Sequence, residues 1–191
     1  KVSVMSLEEY PKRIELQAKK LEVKEAVELA QFYHVPQTLM NMMFIQFGDT
    51  AYPKEAFLLH LGHRKGIQRI EIDRPILENG EWRTEARIYP RITPELIEAV
   101  SRLPETERKE AWEYLTKPVR EWGRASTKNV RMSTMHEWLD TIAIKRAVCR
   151  ALRLFVGIGE TAYEELPEVV VEKNDLEYTR KSPAVIEPQA G

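Results

Sequence analysis

The chain has 191 residues, 43% of them hydrophobic, which is enough to bury one sizeable core and short enough that one domain with appendages is expected. No apolar run approaches the roughly 18 residues of a membrane helix, and the first residues lack a basic-then-apolar leader, so a soluble, cytoplasmic protein with no membrane partner is expected. The net charge of −1 hides a division: residues 117–153 carry nine cations against three carboxylates, and residues 160–191 carry eight carboxylates against three cations.

A basic block of net +6 followed by an acidic block of net −5 points to a polyanion site with an acidic appendage, or to two blocks that neutralise each other within the fold. Cys149 is the only cysteine, which excludes an intrachain disulfide and a two-cysteine metal site. Its place inside a helical pattern favours packing over reactivity. A charged content of 31%, with few Asn or Gln, resembles the composition of heat-adapted proteins, although six Met point the other way.

Ser6 and Glu9 form a capping-box signature, predicting a first helix from near Leu7 that tolerates Pro11 in its opening turns. A second helical pattern through Val23, Ala26, Val27, Ala30 and Phe32 stops before Pro36. Phe44, Ile45 and Phe47 then read as a strand, Gly48-Asp49 as a tight turn, and Ala51 and Tyr52 as the returning strand. Pro53 suits the first position of a helix over about 54–65, which Gly66 terminates.

Residues 67–90 alternate as a β-hairpin around Asn79-Gly80. A strict two-residue turn would set Ile72 against Arg87, so an odd-length loop is expected, with Asp73 opposite Arg87. Two helices follow from Thr93-Pro94 and from Glu105, and Pro118 ends the second. The segment 121–134 reads as a strand end and a loop, after which Ser133 or Thr134 caps a long helix. The fold class is therefore α+β: a small antiparallel sheet, made of the hairpin at about 67–90 and short strands, is backed by a basic helix at about 134–156, with N-terminal helices and a helical insertion at about 93–117.

The stretch "KRAVCRALRLFVGIG" at 145–159 contains four cations and no carboxylate. On a helical wheel Ala143, Ile144, Ala147, Val148, Ala151, Leu154 and Phe155 share one arc, with Leu152 at its margin, and Arg146, Arg150 and Arg153 lie opposite. Three guanidinium groups aligned over about 10 Å suit successive phosphates. Their mutual repulsion calls for an external anion, unless the row complements the helix C-terminus or pairs with carboxylates of the tail or of a neighbouring subunit. Lys145 and the loop cations Arg124, Lys128 and Arg131, with Gly123, Ser126 and Thr127 as backbone donors, extend the strip. Trp82, Tyr89 and Trp122 supply stacking platforms for a single-stranded DNA groove, or else core.

"TIAIKRAVCRALRLFVGIGETAYEEL" resembles the C-terminal core helix of the single-strand annealing proteins, the superfamily of phage recombinases (RecT, Red-beta and ERF types) and Rad-fifty-two-like recombination mediators. The matching residues are Lys145, Arg146, Ala147, Leu152, Arg153 and Gly157. "GDTAYPKEAFLLHLGHRKGIQRIEIDRP" with "EWRTEARIYP" is similar to the turn, helix and hairpin of phage and archaeal members, and "GRASTKNVRMSTM" to the loop between hairpin and helix. The resemblance spans residues 44–166 with a gap, because the helical pair at 93–117 sits in it like an insertion and leaves the place of the next strand open. It implies ATP-independent binding and annealing of complementary single strands by a ring or helical homo-oligomer, used in recombination or repair. On this view residues 1–166 form one annealing-type domain, with helices 7–33 as an oligomerisation element. Residues 167–191 form an acidic tail, either a tethered mimic of DNA phosphates, a solvating segment with a strand at Val169–Val171, or a docking segment for a nuclease or a single-strand-binding protein.

No catalytic residue, metal site or cofactor is expected. His60 and His63 lack a third ligand, His136-Glu137 lacks the second His of a zincin, and no Walker-type loop occurs. Gly157 and Gly159 read as helix stops. Glu71, Asp73 and Glu85 could imitate the carboxylates of a metal-dependent nuclease, but their alternation with apolar residues reads as a solvated sheet face. The alternatives are that nuclease and a protein-interaction module whose basic face meets an acidic partner.

Overall fold

The computed structural model describes residues 21–159 and 161–169, so the helix expected from Leu7 and the tail beyond Val169 lie outside the described residues. No helix among the described residues is long and apolar enough to cross a membrane. The architecture is α+β, as expected, with two antiparallel sheets and a long C-terminal helix.

The first sheet joins β1 (Leu21–Glu22), β3 (Thr50–Pro53) and β2 (Phe44–Phe47) in that order. Between β1 and β2 run α1 (Val23–Phe32) and the single turn α2 (Met40–Met43). The backbone N–H of Glu22 donates to the Glu25 carboxylate at 3.0 Å and starts α1, which buries Ala26 and Ala30 but leaves Phe32 exposed. Phe47 faces Thr50 across the tight Gly48-Asp49 turn. Pro53 does not open the next helix: it ends β3 opposite Phe44, where its missing N–H costs no ladder bond, and Lys54 caps α3 (Glu55–Lys65). Gly66 stops α3 with φ +94°.

The second sheet is built around β6 (Glu81–Pro90), with β4 (Ile67–Ile72) and β5 (Ile76–Glu78) along one side and β7 (Val119–Ala125) along the other. The turn at Asn79-Gly80 is a strict two-residue one, not odd-length: Glu78 faces Glu81, and both turn residues have positive φ, 51° and 77°. The register conflict is resolved elsewhere. Pro75 breaks the strand, the pairing slips by one residue between β5 and β4, and Ile72 faces Ala86. Glu71, not Asp73, is the residue opposite Arg87, yet the Asp73 carboxylate still pairs with the Arg87 guanidinium along the diagonal.

The inserted helices are α4 (Pro94–Ser101), capped by the Thr93 hydroxyl, and α5 (Glu105–Thr116). They bury little besides Val100, and the next strand, β7, starts directly behind Pro118. A 3-10 run over Ser133–Trp138 precedes α6 (Leu139–Val156), so Trp138 rather than Ser133 or Thr134 stands at the cap.

Helix α6 is the centre of the molecule and not a one-sided backing. The second sheet, α3 and the segment 161–169 all pack on it. Leu152, expected at the margin of the apolar arc, is fully buried, whereas Leu154 is only half-buried. Gly123 makes the close packing possible, because a β-carbon there would overlap the Ala143 carbonyl and the Ala147 amide.

Candidate nucleic-acid interface

The arginine row of α6 is not a solvated stripe. Arg146 is 3% exposed and Arg153 4%. Arg146 donates from Nη1 to the Arg124 carbonyl and to Asn129 Oδ1, both at 2.8 Å, and from Nη2 to the carbonyls of Asn129 and Leu166, both at 3.0 Å. None of these acceptors is a carboxylate. Burial, with Arg150 close by, pushes the Arg146 guanidinium down to about 10, which leaves it cationic at neutral pH. Arg150 donates to the Trp122 carbonyl at 2.9 Å and pairs with Glu165 at 3.2 Å, and Arg153 pairs with the same carboxylate at 2.6 Å. Lys145 pairs with Glu55 at 3.1 Å.

Two of these bonds end on alternate carbonyls of β7, those of Trp122 and Arg124. Among the described residues β7 pairs with β6 alone, so guanidinium groups, not another strand, meet those carbonyls. The expectation that Arg146, Arg150 and Arg153 form an exposed row is therefore corrected. Glu165, lying just beyond α6, supplies the compensating charge. The Ser126 backbone and Gly123 are likewise buried against the fold, and Trp82 packs partly buried on the second core cluster.

The sheet's other face presents a different set. Side chains of β6 and β7 alternate, so Thr84, Ala86 and Ile88 face α6 while Arg83, Glu85, Arg87 and Tyr89 face outward. On β7 the outward residues are Arg120, Trp122 and Arg124, which stand opposite Arg87, Glu85 and Arg83. Arg83 is held by Glu81 at 2.9 Å and Glu78 at 3.3 Å, and Arg87 by Asp73. Tyr89 donates to Glu71 at 2.8 Å, and the Arg69 guanidinium covers its ring at 4.0 Å, so this platform is already occupied.

Arg120, Arg124 and Lys128 are exposed, and no ion pair or side-chain hydrogen bond engages them among the described residues. Trp122, 47% exposed, stands between the two arginines. Extended-strand rise places Arg120 and Arg124 about 13 Å apart. Arg131, in the loop that follows, is exposed but paired with Glu168. Of the predicted site residues, Trp122, Arg124, Lys128 and Arg131 thus gather on β7 and its loop. Arg150 lies at the margin, and Lys145, Arg146 and Arg153 are inside. Sequence reasoning missed Arg120, though its place in the alternation Arg120, Trp122, Arg124 marked it. It also missed Asn129, which accepts from Ser126 N–H at 3.0 Å while binding Arg146.

The nuclease-like carboxylates do not converge: Glu71 holds Arg69 and Tyr89, and Asp73 holds Arg87. Among the described residues one metal-ligand grouping occurs, Glu55, Cys149 and Glu164, with atoms within 4.8 Å of one another. The Lys145 ammonium already pairs with Glu55, and burial pushes the Cys149 thiol well up, so it stays protonated. These groups suit a buried hydrogen-bonded cluster better than a cation. No family model matches the chain, and no curated protein or solved structure matches it.

Proposed function

We propose that this chain binds single-stranded DNA and anneals complementary strands without nucleotide hydrolysis, working as a homo-oligomer in recombination or repair. The observation that supports this is the outward side of β7, where Arg120, Trp122 and Arg124 have no ion pair among the described residues and lead into Lys128. Guanidinium groups take phosphate oxygens, and an indole takes the face of any base, which makes such a track tolerant of sequence. Glu85, opposite Trp122, repels a phosphate there and leaves the position to a base. The resemblance of 141–166 to annealing-protein core helices points the same way. One subunit offers a track of about 13 Å, too short to display a strand for pairing, so repetition of subunits is part of the proposal.

The test is to mix labelled complementary oligonucleotides with the protein, with and without magnesium, and to follow duplex formation, cleavage and particle size by light scattering. Salt-sensitive annealing without magnesium by an oligomer is expected. Magnesium-dependent cleavage would replace this reading with the nuclease, and absence of both binding and cleavage would leave the interaction module.

A further inference from the structure

The acidic block begins by folding back on the basic one. Within the segment 161–169, Glu165 bridges Arg150 and Arg153, and Glu168 pairs with Arg131. The Leu166 carbonyl accepts from Arg146, and the Pro167 carbonyl accepts from the Arg131 N–H at 2.8 Å. Glu164 anchors the segment on its other side, accepting from the Glu55 N–H at the start of α3 at 3.0 Å and from the Cys149 thiol at 3.6 Å.

Resting on the reading of β7 as a DNA track, we propose that residues 161–169 are a displaceable acidic strap whose carboxylates hold, until single-stranded DNA arrives, the arginine positions that DNA phosphates then occupy. Two oxygens of Glu165 bridge two guanidinium groups, an arrangement that two oxygens of one phosphate reproduce. The track lies on the other face of the sheet, and the two meet at the outer edge of β7. Arg150 holds the Trp122 carbonyl and is itself 39% exposed in its side chain, and Arg131 lies three residues past Lys128. The outer clasp, Arg131 with Glu168, is the exposed pair, so displacement starts at the surface and proceeds inward to Glu165. Ala162, Tyr163 and Val169 of the strap are buried against the rest of the fold, and their burial recloses it.

Cys149, the only thiol of the chain and fully buried behind Glu164, reports opening without reference to DNA affinity. Its rate of modification by a thiol reagent, read by mass spectrometry on the full chain, is to be compared with and without a thirty-nucleotide oligothymidine whose binding is followed by anisotropy. Binding accompanied by an acceleration of about tenfold or more is expected. Binding with an unchanged or slower rate overturns the strap and leaves the DNA-binding reading standing. Absence of binding overturns that reading, and the strap's ligand with it.

A second measurement uses the double variant E165Q/E168Q. In the wild type a tethered carboxylate, not a salt ion, leaves each arginine, so the variant is expected to bind more tightly at low salt and with a log–log salt slope steeper by about 0.7 per arginine engaged. A folded variant with unchanged affinity and slope overturns the proposal. If the variant does not fold, the wild-type labelling decides alone.

Discussion

Gly123 of β7 lies directly under Ala143 of α6, so close that a β-carbon on the glycine would occupy the space of the Ala143 carbonyl oxygen. The strand that carries the outward cations is thereby fixed to the central helix backbone to backbone. Gly123→Ala is expected to cost about 3 kcal/mol or more, as over-packing against rigid backbone does. In a chain of this size that lowers the melting temperature by roughly 10 °C. Gly80→Ala, in an exposed turn, is the comparison and should cost roughly 1 kcal/mol. Equal melting temperatures for Gly123→Ala and wild type would contradict the packing described.

Trp122→Ala should weaken oligothymidine binding by about 1–3 kcal/mol, the value of one base stacked on one aromatic ring. Arg120→Gln with Arg124→Gln should flatten the log–log salt dependence by about 1.4, or 0.7 per phosphate contact. Fluorescence anisotropy over a salt series checks both, and unchanged slopes would remove β7 from the interface.

Arg146 is expected to behave oppositely. Arg146→Gln leaves the carbonyls of Arg124, Asn129 and Leu166 without a donor, a loss of about 3 kcal/mol in stability. Calorimetry should register that loss. DNA affinity per folded molecule should change far less than for the Arg120 and Arg124 pair.

Glu164 ties stability to pH. Burial, reinforced by Glu55, pushes its carboxyl up to about 7, while the Glu55 N–H and Lys145 oppose that shift. The groups facing it are Glu55 from α3 and Lys145 and Cys149 from α6, while the neighbouring Glu165 turns its carboxylate to Arg150 and Arg153. The native state holds the proton more tightly than the unfolded chain, so this contribution is complete below the ordinary carboxyl value of 4.5 and is lost as pH rises through about 7. Stability should fall between about pH 5 and 7 by an amount on the order of 3 kcal/mol and then level off, a decline that a melting-temperature series over pH would follow. Glu164→Gln, which keeps a neutral acceptor, should flatten that profile, and an unchanged profile in the variant would assign the pH dependence to other groups.

Local signals were readable where local chemistry decides the structure. The Thr93 cap and the Gly66 stop each follow from one or two residues, whereas the two-residue Asn79-Gly80 turn was expected to be an odd-length loop. The hairpin register was not readable, because the slip is made at Pro75, outside the turn that seemed to dictate it. The arginine row was misjudged for a related reason. A helical wheel separates apolar from polar arcs, but it assigns the polar arc to water only when one side of the helix is free. α6 is covered on all sides, and its polar arc meets β7 carbonyls and Glu165, groups that are local neighbours in space and distant ones along the chain. The alternation in β7 was visible, and with it Arg120, once the strand was given its full length.

The break at Pro75 also has a practical use. It gives β5 its own pairing with Glu81, Trp82 and Arg83, apart from that of β4, and β7 pairs with β6 only from Trp82 onward, so the turn itself carries no other strand's register. A guest peptide spliced between Asn79 and Gly80 would lengthen the tip and leave the remaining pairings undisturbed. That loop is therefore the place to graft an affinity epitope or a dye-accepting tag when subunits are to be counted or watched one at a time.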